Sequence, residues 1–425
     1  MISSRNKWLN SLPGRIRQAR RWRCTSGIFL ALLSGMSALP ELAHAQPQQH
    51  CQATGLSNED VVYSATEFEK MLNFRSAWSL SMGSGVTVAV IDTGISAHSR
   101  LGEVIDGADL TDGGGALVDC DAHGTFVAGI IAGTAGKDLF AGVAPGARLL
   151  SIKQTADGHG DLYSLAEAIN IALDRGSRVI NISLTSCSSP EHLPPGVNEV
   201  VSAVERAERE GAVVIAAAGN NSDTCQEGAI AWPAVLSQVV AVGAVQTSED
   251  GQFAPTAYSL TGQWIDISAP GGPVLGPDPN DAEALADLHV TESASGPGTV
   301  RPIAGTSFAA PAVSGTAALI ISREPWLSAF AVREKIISSA TPIDSTLEIG
   351  HGVLNPAAAL SWDAADLTAQ SSREVSPVPS ASPSADSEPG SRTAGLLLLL
   401  ASGMCLWLLL RASSRRSSPQ TDGPK

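Results

Sequence analysis

The sequence reads as an α/β protein with a mostly parallel central sheet and helices on both faces. Val86-Thr87-Val88-Ala89-Val90-Ile91 is a near-continuous β-branched run without a polar face, the pattern of a strand buried on both sides. Comparable runs recur at 149–153, 179–184, 212–218 and 239–245, with helically spaced apolar residues between them. That alternation calls for crossover helices joining parallel strands. At 425 residues and 44% hydrophobic content, the chain can bury one large core or two modest ones.

In order, the stretch to Ala45 carries seven basic residues (Arg5, Lys7, Arg15, Arg17, Arg20, Arg21, Arg23) against Glu41 alone. A basic region to Arg23, an apolar run from Gly27 to Leu39 and Ala43-His44-Ala45 before Gln46 make residues 1–45 a secretory signal. An uncleaved anchor is the competing reading, for which the apolar run is short. Arg20-Arg21 is a weak pointer to twin-arginine export. Residues 46–84 form an N-terminal extension with a helical piece around Glu67 to Leu80, whose Phe68, Leu72 and Trp78 are spaced to cover a surface.

The main domain spans 85–365. Its first strand ends in Asp92-Thr93-Gly94, at the carboxyl end where α/β proteins build sites. Asp121-Ala122-His123-Gly124-Thr125 runs into Phe126 to Ala132, a helix of small residues suited to close packing. After strand Leu149–Lys153 and Gly158-His159-Gly160, the spacing of Leu165, Ala168, Ile169, Ala172 and Leu173 gives a helix that Gly176 stops. Strand Val179–Leu184, helix Val197–Glu210 and strands Ala212–Ala218 and Val239–Val245 follow. Residues 271–301, rich in Gly, Pro and acids, read as a solvated surface loop in preference to a gate over a site. A helix opens at Gly305-Thr306-Ser307-Phe308-Ala309-Ala310-Pro311. With its start near Ser307, Pro311 falls among the first four residues, whose N–H groups have no helical partner. A helix over Ala329–Ser339 and a turn at Gly350–Pro356 close the domain. Residues 366–393 are a Ser/Pro-rich linker. Ala394 to Leu410 reaches the lower limit for a membrane helix, and the basic residues of 411–425 place that tail in the cytoplasm.

The formal net charge is −15, and the basic leader makes the remainder more acidic still. Such a surface repels phosphate backbones and anionic lipid, so nucleic acid is not a partner. Cys24 falls in the leader and Cys405 in the apolar segment, leaving Cys51, Cys120, Cys187 and Cys225 in an oxidising compartment. Four such cysteines call for two disulfides in one of three connectivities. The absence of CxxC pairs argues against zinc, and neither metal nor cofactor is expected.

Ser307 alone is either a helix cap or a nucleophile. Asp92, His123 and Ser307, each beside glycine at a strand end or helix start, decide for the nucleophile. Asp92-Thr93-Gly94, His123-Gly124-Thr125 with Val127-Ala128-Gly129, and Gly305-Thr306-Ser307 with Ala309-Ala310-Pro311 resemble the three subtilase motifs, in the subtilisin order. The resemblance implies a subtilisin-like serine endopeptidase of peptidase family S8. Ser307 would attack the scissile carbonyl, His123 would carry the proton, and Asp92 would orient the imidazole. Asn220, in Ala216-Ala217-Ala218-Gly219-Asn220, matches the subtilase oxyanion donor. Gly158, His159, Gly160 and Ser183, Leu184, Thr185 match the two segments that hold an extended peptide by β-pairing. Thr185 replaces the usual glycine and implies a narrowed pocket for small P1 side chains. The stretch between Ala132 and Val143 lacks the Asn-rich calcium loop of secreted subtilisins. His98, His159, His289 and His351 carry no such context and read as structural.

Among subtilases the chain most resembles the mycosins, membrane-anchored proteases of type VII (ESX) secretion in actinobacteria. The features are the short extension, Asp119-Cys120-Asp121-Ala122-His123, with Ala122 where glycine is common, the nucleophile motif, the linker and the C-terminal span. This resemblance implies the pairs Cys51–Cys120 and Cys187–Cys225, a protein or peptide substrate and a type VII secretion membrane complex as partner. It also implies a single-pass cell-membrane protein with its catalytic domain extracytoplasmic. Two rival functions stand beside it: a surface subtilase of broad specificity, and a structural member of the secretion complex whose proteolysis is dispensable.

Overall fold

The computed structural model describes residues 51, 53–55, 68–111, 114–248, 250–293, 296–343 and 346–362. The leader, the linker, the apolar segment 394–410 and the tail lie outside them, and among the described residues no helix is long and apolar enough to cross a membrane.

The centre is an eight-stranded sheet. Its strands are β1 (Thr87–Asp92), β2 (Val104–Asp109), β3 (Arg148–Lys153), β4 (Val179–Ile182), β5 (Val213–Ala217), β6 (Val239–Thr247), β7 (Phe253–Pro255) and β8 (Ile267–Pro270). They run in the order β7-β6-β5-β4-β1-β3-β2, with β8 also paired to β6. Every pairing is parallel except β7 with β6. β1 shows why its sequence has no polar face: Val88 and Val90 join the apolar cluster on one side of the sheet, Ala89 and Ile91 that on the other. The sequence reading passed over β2 because it is an edge strand of half-exposed residues with two aspartates and a glycine, and it carries no buried run to announce it.

Helices α1 (His123–Ala132), α4 (Thr306–Arg323) and α5 (Ala329–Ser338) cover one face. α2 (Leu162–Asp174) and α3 (Val197–Glu210) cover the other. α4 is buried from Thr306 to Ile321 and rests on β4, β5, β6 and β8 between α1 and α5. A helix enclosed on all sides is apolar on most of its circumference, and its buried hydroxyls Ser314 and Thr316 are hydrogen-bonded. After β1 the chain builds β2 and β3 on one side and then β4, β5 and β6 on the other. The crevice at this reversal therefore opens beyond the carboxyl end of β1, at Asp92.

Residues 271–301 differ from the expected solvated loop. Gly276–Pro277 pairs with Leu285–Ala286, and Leu288–Ser293 pairs with Gly296–Pro302 and, on its other edge, with Ala53–Gly55 of the extension. Val274, Leu275 and Ala286 are buried, and Pro277 and Gly276 lie against Gly129 and Phe126 of α1. The excursion thus has a core made against α1, and its third strand comes from more than two hundred residues upstream, where no local pattern reveals it. The extension covers the surface as its spacing implies: Leu72 and Phe74 are buried in the main core, and Trp78 donates its indole N–H to the Val143 carbonyl at 2.9 Å.

Candidate active site

Asp92 ends β1 and is wholly buried. α1 starts beside it because Gly124 has no side chain: a Cβ there would lie 2.1 Å from the Gly94 carbonyl oxygen and 3.2 Å from Asp92 Oδ1. This approach sets His123 Nδ1 2.7 Å from Asp92 Oδ1. A carboxylate accepts, so Nδ1 carries the hydrogen, and in the neutral imidazole Nε2 presents its lone pair. Ala122, just before, has φ 59 in the left-handed region, a conformation glycine adopts without a steric cost. Burial disfavours the imidazolium of His123. The charge and hydrogen bond of Asp92, with the nearby charges of Asp119 and Asp121, outweigh it and raise the His123 pKa above its ordinary value of 6.5.

Ser307 is the second residue of α4, and the Phe308 ring lies 4.9 Å from the imidazole, keeping His123 beside that helix start. Asn220 follows β5. Its Oδ1 accepts from the Thr306 N–H at 3.0 Å and from Thr306 Oγ1 at 3.1 Å, which fixes the amide with Nδ2 on the far side. A Cβ on Gly305 would lie 3.1 Å from Ser307 Oγ and 3.2 Å from Asn220 Nδ2. The hydroxyl and the amide therefore border one gap, which a residue other than glycine at 305 would fill. Exposure rises from 0% at Asp92 to 8% at Ser307 and 23% for the His123 side chain, so the carboxylate is sealed while the other two reach the crevice.

Pro311 is not in the first turn. α4 begins at Thr306, which makes Pro311 an interior helix residue. The N–H it lacks is the one that would have bonded the Ser307 carbonyl. Ser183 Oγ donates to that oxygen instead, at 2.7 Å.

The two expected substrate segments face each other. Gly158, Gly160, Leu184 and Thr185 line a cleft of about 110 Å³ with Trp232 at its wall. His159 is exposed at the tip of the first segment. Thr185 donates to the Ala217 carbonyl at 3.2 Å, and its methyl lies 3.1 Å from where a Gly219 Cβ would be, next to Asn220. Ser183 alone turns inward. Disulfides join Cys51 to Cys120 and Cys187 to Cys225.

A buried carboxylate beside an imidazole, a serine at a helix start and an amide donor across a shared gap can perform acyl transfer. Residues 83–367 match the model of the Subtilase family. The chain is a subtilase. It is 34% identical over 421 residues to Mycosin-4 of Mycobacterium tuberculosis (strain ATCC 25618 / H37Rv), covering 91% of both chains. The structure is similar to that of the MycP3 protease from the type VII (ESX-3) secretion system, with 34% identity, a TM-score of 0.68 and coverage of 75% of this chain and 95% of that one. It is also similar to a chain of an intact ESX-5 inner membrane complex, with 30% identity, a TM-score of 0.66 and coverage of 86% and 93%. The subtilase is a serine endopeptidase with the subtilisin-like fold.

Sequence reasoning missed one part of the subtilase's site. Asp119, 3% exposed, accepts from Thr93 Oγ1 at 2.7 Å, from Thr125 N at 2.8 Å and from Thr125 Oγ1 at 2.6 Å. Thr93 Oγ1 in turn accepts from the Gly124 N–H at 2.9 Å. Asp119 therefore clasps the residue after Asp92 to the first turn of the His123 helix. Burial pushes its carboxyl above the usual carboxylate range, and the three donors counter that only in part. The signal was an aspartate four residues before His123 with threonines after both motifs, but only the fold joins them.

Proposed function

We propose that Ser307 is the nucleophile of this endopeptidase, with His123 as general base and acid and Asp92 as the residue that orients and charges it. The reading rests on one observation, the 2.7 Å Asp92–His123 hydrogen bond beside the Ser307 and Asn220 gap. A peptide lies extended between Gly158-His159-Gly160 and Ser183-Leu184-Thr185, its scissile carbonyl over Ser307. Nε2 of His123 takes the hydroxyl proton as Ser307 Oγ bonds the carbonyl carbon. The oxyanion receives Asn220 Nδ2 and the Ser307 N–H, at the positive end of α4. His123 then protonates the leaving amine, and a water repeats the sequence to release the acid. Thr185 restricts P1 to small side chains.

The mycosin relatives and the ESX-5 inner membrane complex similarity support action within a type VII secretion membrane complex. Residues 394–410 form the anchor and residues 1–45 the export signal in this reading, with the catalytic domain extracytoplasmic. The likeness to a component of an assembled complex also favours a second reading, a structural role in which cleavage is dispensable. Wild type and Ser307→Ala are compared for labelling by a fluorophosphonate, peptide hydrolysis and restoration of export in a deletion strain. Labelling and hydrolysis are expected with wild type alone. An unlabelled, folded wild type overturns the nucleophile assignment, and export restored by Ser307→Ala selects the structural role.

A further inference from the structure

The Ser307 carbonyl is the starting point. In an ordinary helix this oxygen accepts from the N–H four residues on, but that residue is Pro311 and has none. A buried carbonyl left without a donor is costly, and here it belongs to the residue whose hydroxyl must be aimed most accurately. Ser183 Oγ supplies the bond at 2.7 Å. The hydroxyl is itself fixed, because it accepts from Asn181 Nδ2 at 2.9 Å, and Asn181 Oδ1 accepts from Ser314 Oγ at 2.8 Å. Ser314 is seven residues beyond Ser307, on the same face of α4. The result is a closed circuit from α4 to the interior of β4, out to its end and back to α4. Asn181 and Ser314 are 0% exposed and Ser183 4%, so water does not substitute for any link.

We propose that Ser183 is a positioning residue for Ser307, replacing through its side chain the helical hydrogen bond that Pro311 removes and joining the substrate-holding segment to the nucleophile. The inference rests on Ser307 being the nucleophile. Leu184 and Thr185 of that segment line the cleft, whereas Ser183 Oγ faces away from it under α4, so its loss changes the aim of the serine more than the grip on the peptide.

The test uses the full-length protein with a peptide substrate and a fluorophosphonate. Ser183→Ala is expected to lower kcat roughly 10-fold or more while KM changes less than about twofold, with labelling slowed in parallel. Pro311→Ala restores an N–H opposite the Ser307 carbonyl, so Ser183→Ala/Pro311→Ala is expected to recover to within about threefold of wild type. Where Ser183→Ala fails to fold, Ser183→Thr keeps the hydroxyl and should stay near wild type. Asn181→Asp, whose second oxygen draws the Ser183 proton away from Ser307, should lose kcat. Wild-type kcat in Ser183→Ala, or no recovery in the folded double variant, overturns the proposal. A wild type that does not label at Ser307 instead overturns the functional reading beneath it.

Discussion

Asn220 illustrates how one side chain divides its work. Its oxygen is committed to Thr306, which in the proposed mechanism leaves the amide hydrogens to meet charge that exists only during the reaction. Asn220→Ala is therefore expected to cost about 10²–10³-fold in kcat with little change in KM, measured on a peptide substrate. As the proposed general base, His123 sets the pH response. Its raised pKa keeps it protonated, and unable to accept from Ser307, until the pH passes that value. The acid limb of kcat/KM should then have its midpoint above 6.5, and Asp119→Asn, by removing one of the charges that raise it, should move the midpoint down. Stability runs the opposite way: the contribution from protonated His123 is fully present below about 6.5, its unfolded value, and is lost as pH rises through the higher folded value. Thr185→Gly should open the pocket beside Gly219, and a library varied at P1 should then show larger side chains cleaved. The residues proposed for the triad and for Asn220's role could be nominated from sequence because each sits in a short contiguous motif whose chemistry is local. Asp119, Asn181 and Ser314 could not, because each matters only through partners that folding brings to it.

At the level of elements, the strands and helices that alternate through the sheet were readable from their buried runs, and α3 was bounded correctly by Gly211. Among the elements that escaped are β2 at the sheet edge and the strands of 271–301, one of which pairs with Ala53–Gly55. That small sheet and the Cys51–Cys120 disulfide fasten the extension to the body. The disulfide lies at the residue next to Asp119, in the segment leading to His123. Replacing both cysteines by serine is expected to lower stability by about 2–4 kcal/mol in urea unfolding. The same change should weaken protection of Leu288–Ser293 backbone amides in hydrogen exchange, since the edge partner is released.

For the whole molecule, Ser307, the proposed nucleophile, sits on a helix that is buried from Thr306 to Ile321. In the proposed reading α4 is a structural centre as well as a catalytic one, since it packs across β4, β5, β6 and β8. Along the chain Asp92 and His123 come early and α4 late. Until residue 321 is available to fold there is neither a closed core nor a serine in place. Truncation after residue 304 should accordingly yield a chain without cooperative unfolding, while truncation after residue 362 should fold and hydrolyse peptide. The placement of Ser307 thus acts as a timer: a chain still lacking α4 holds two of the three proposed catalytic side chains and no competent site.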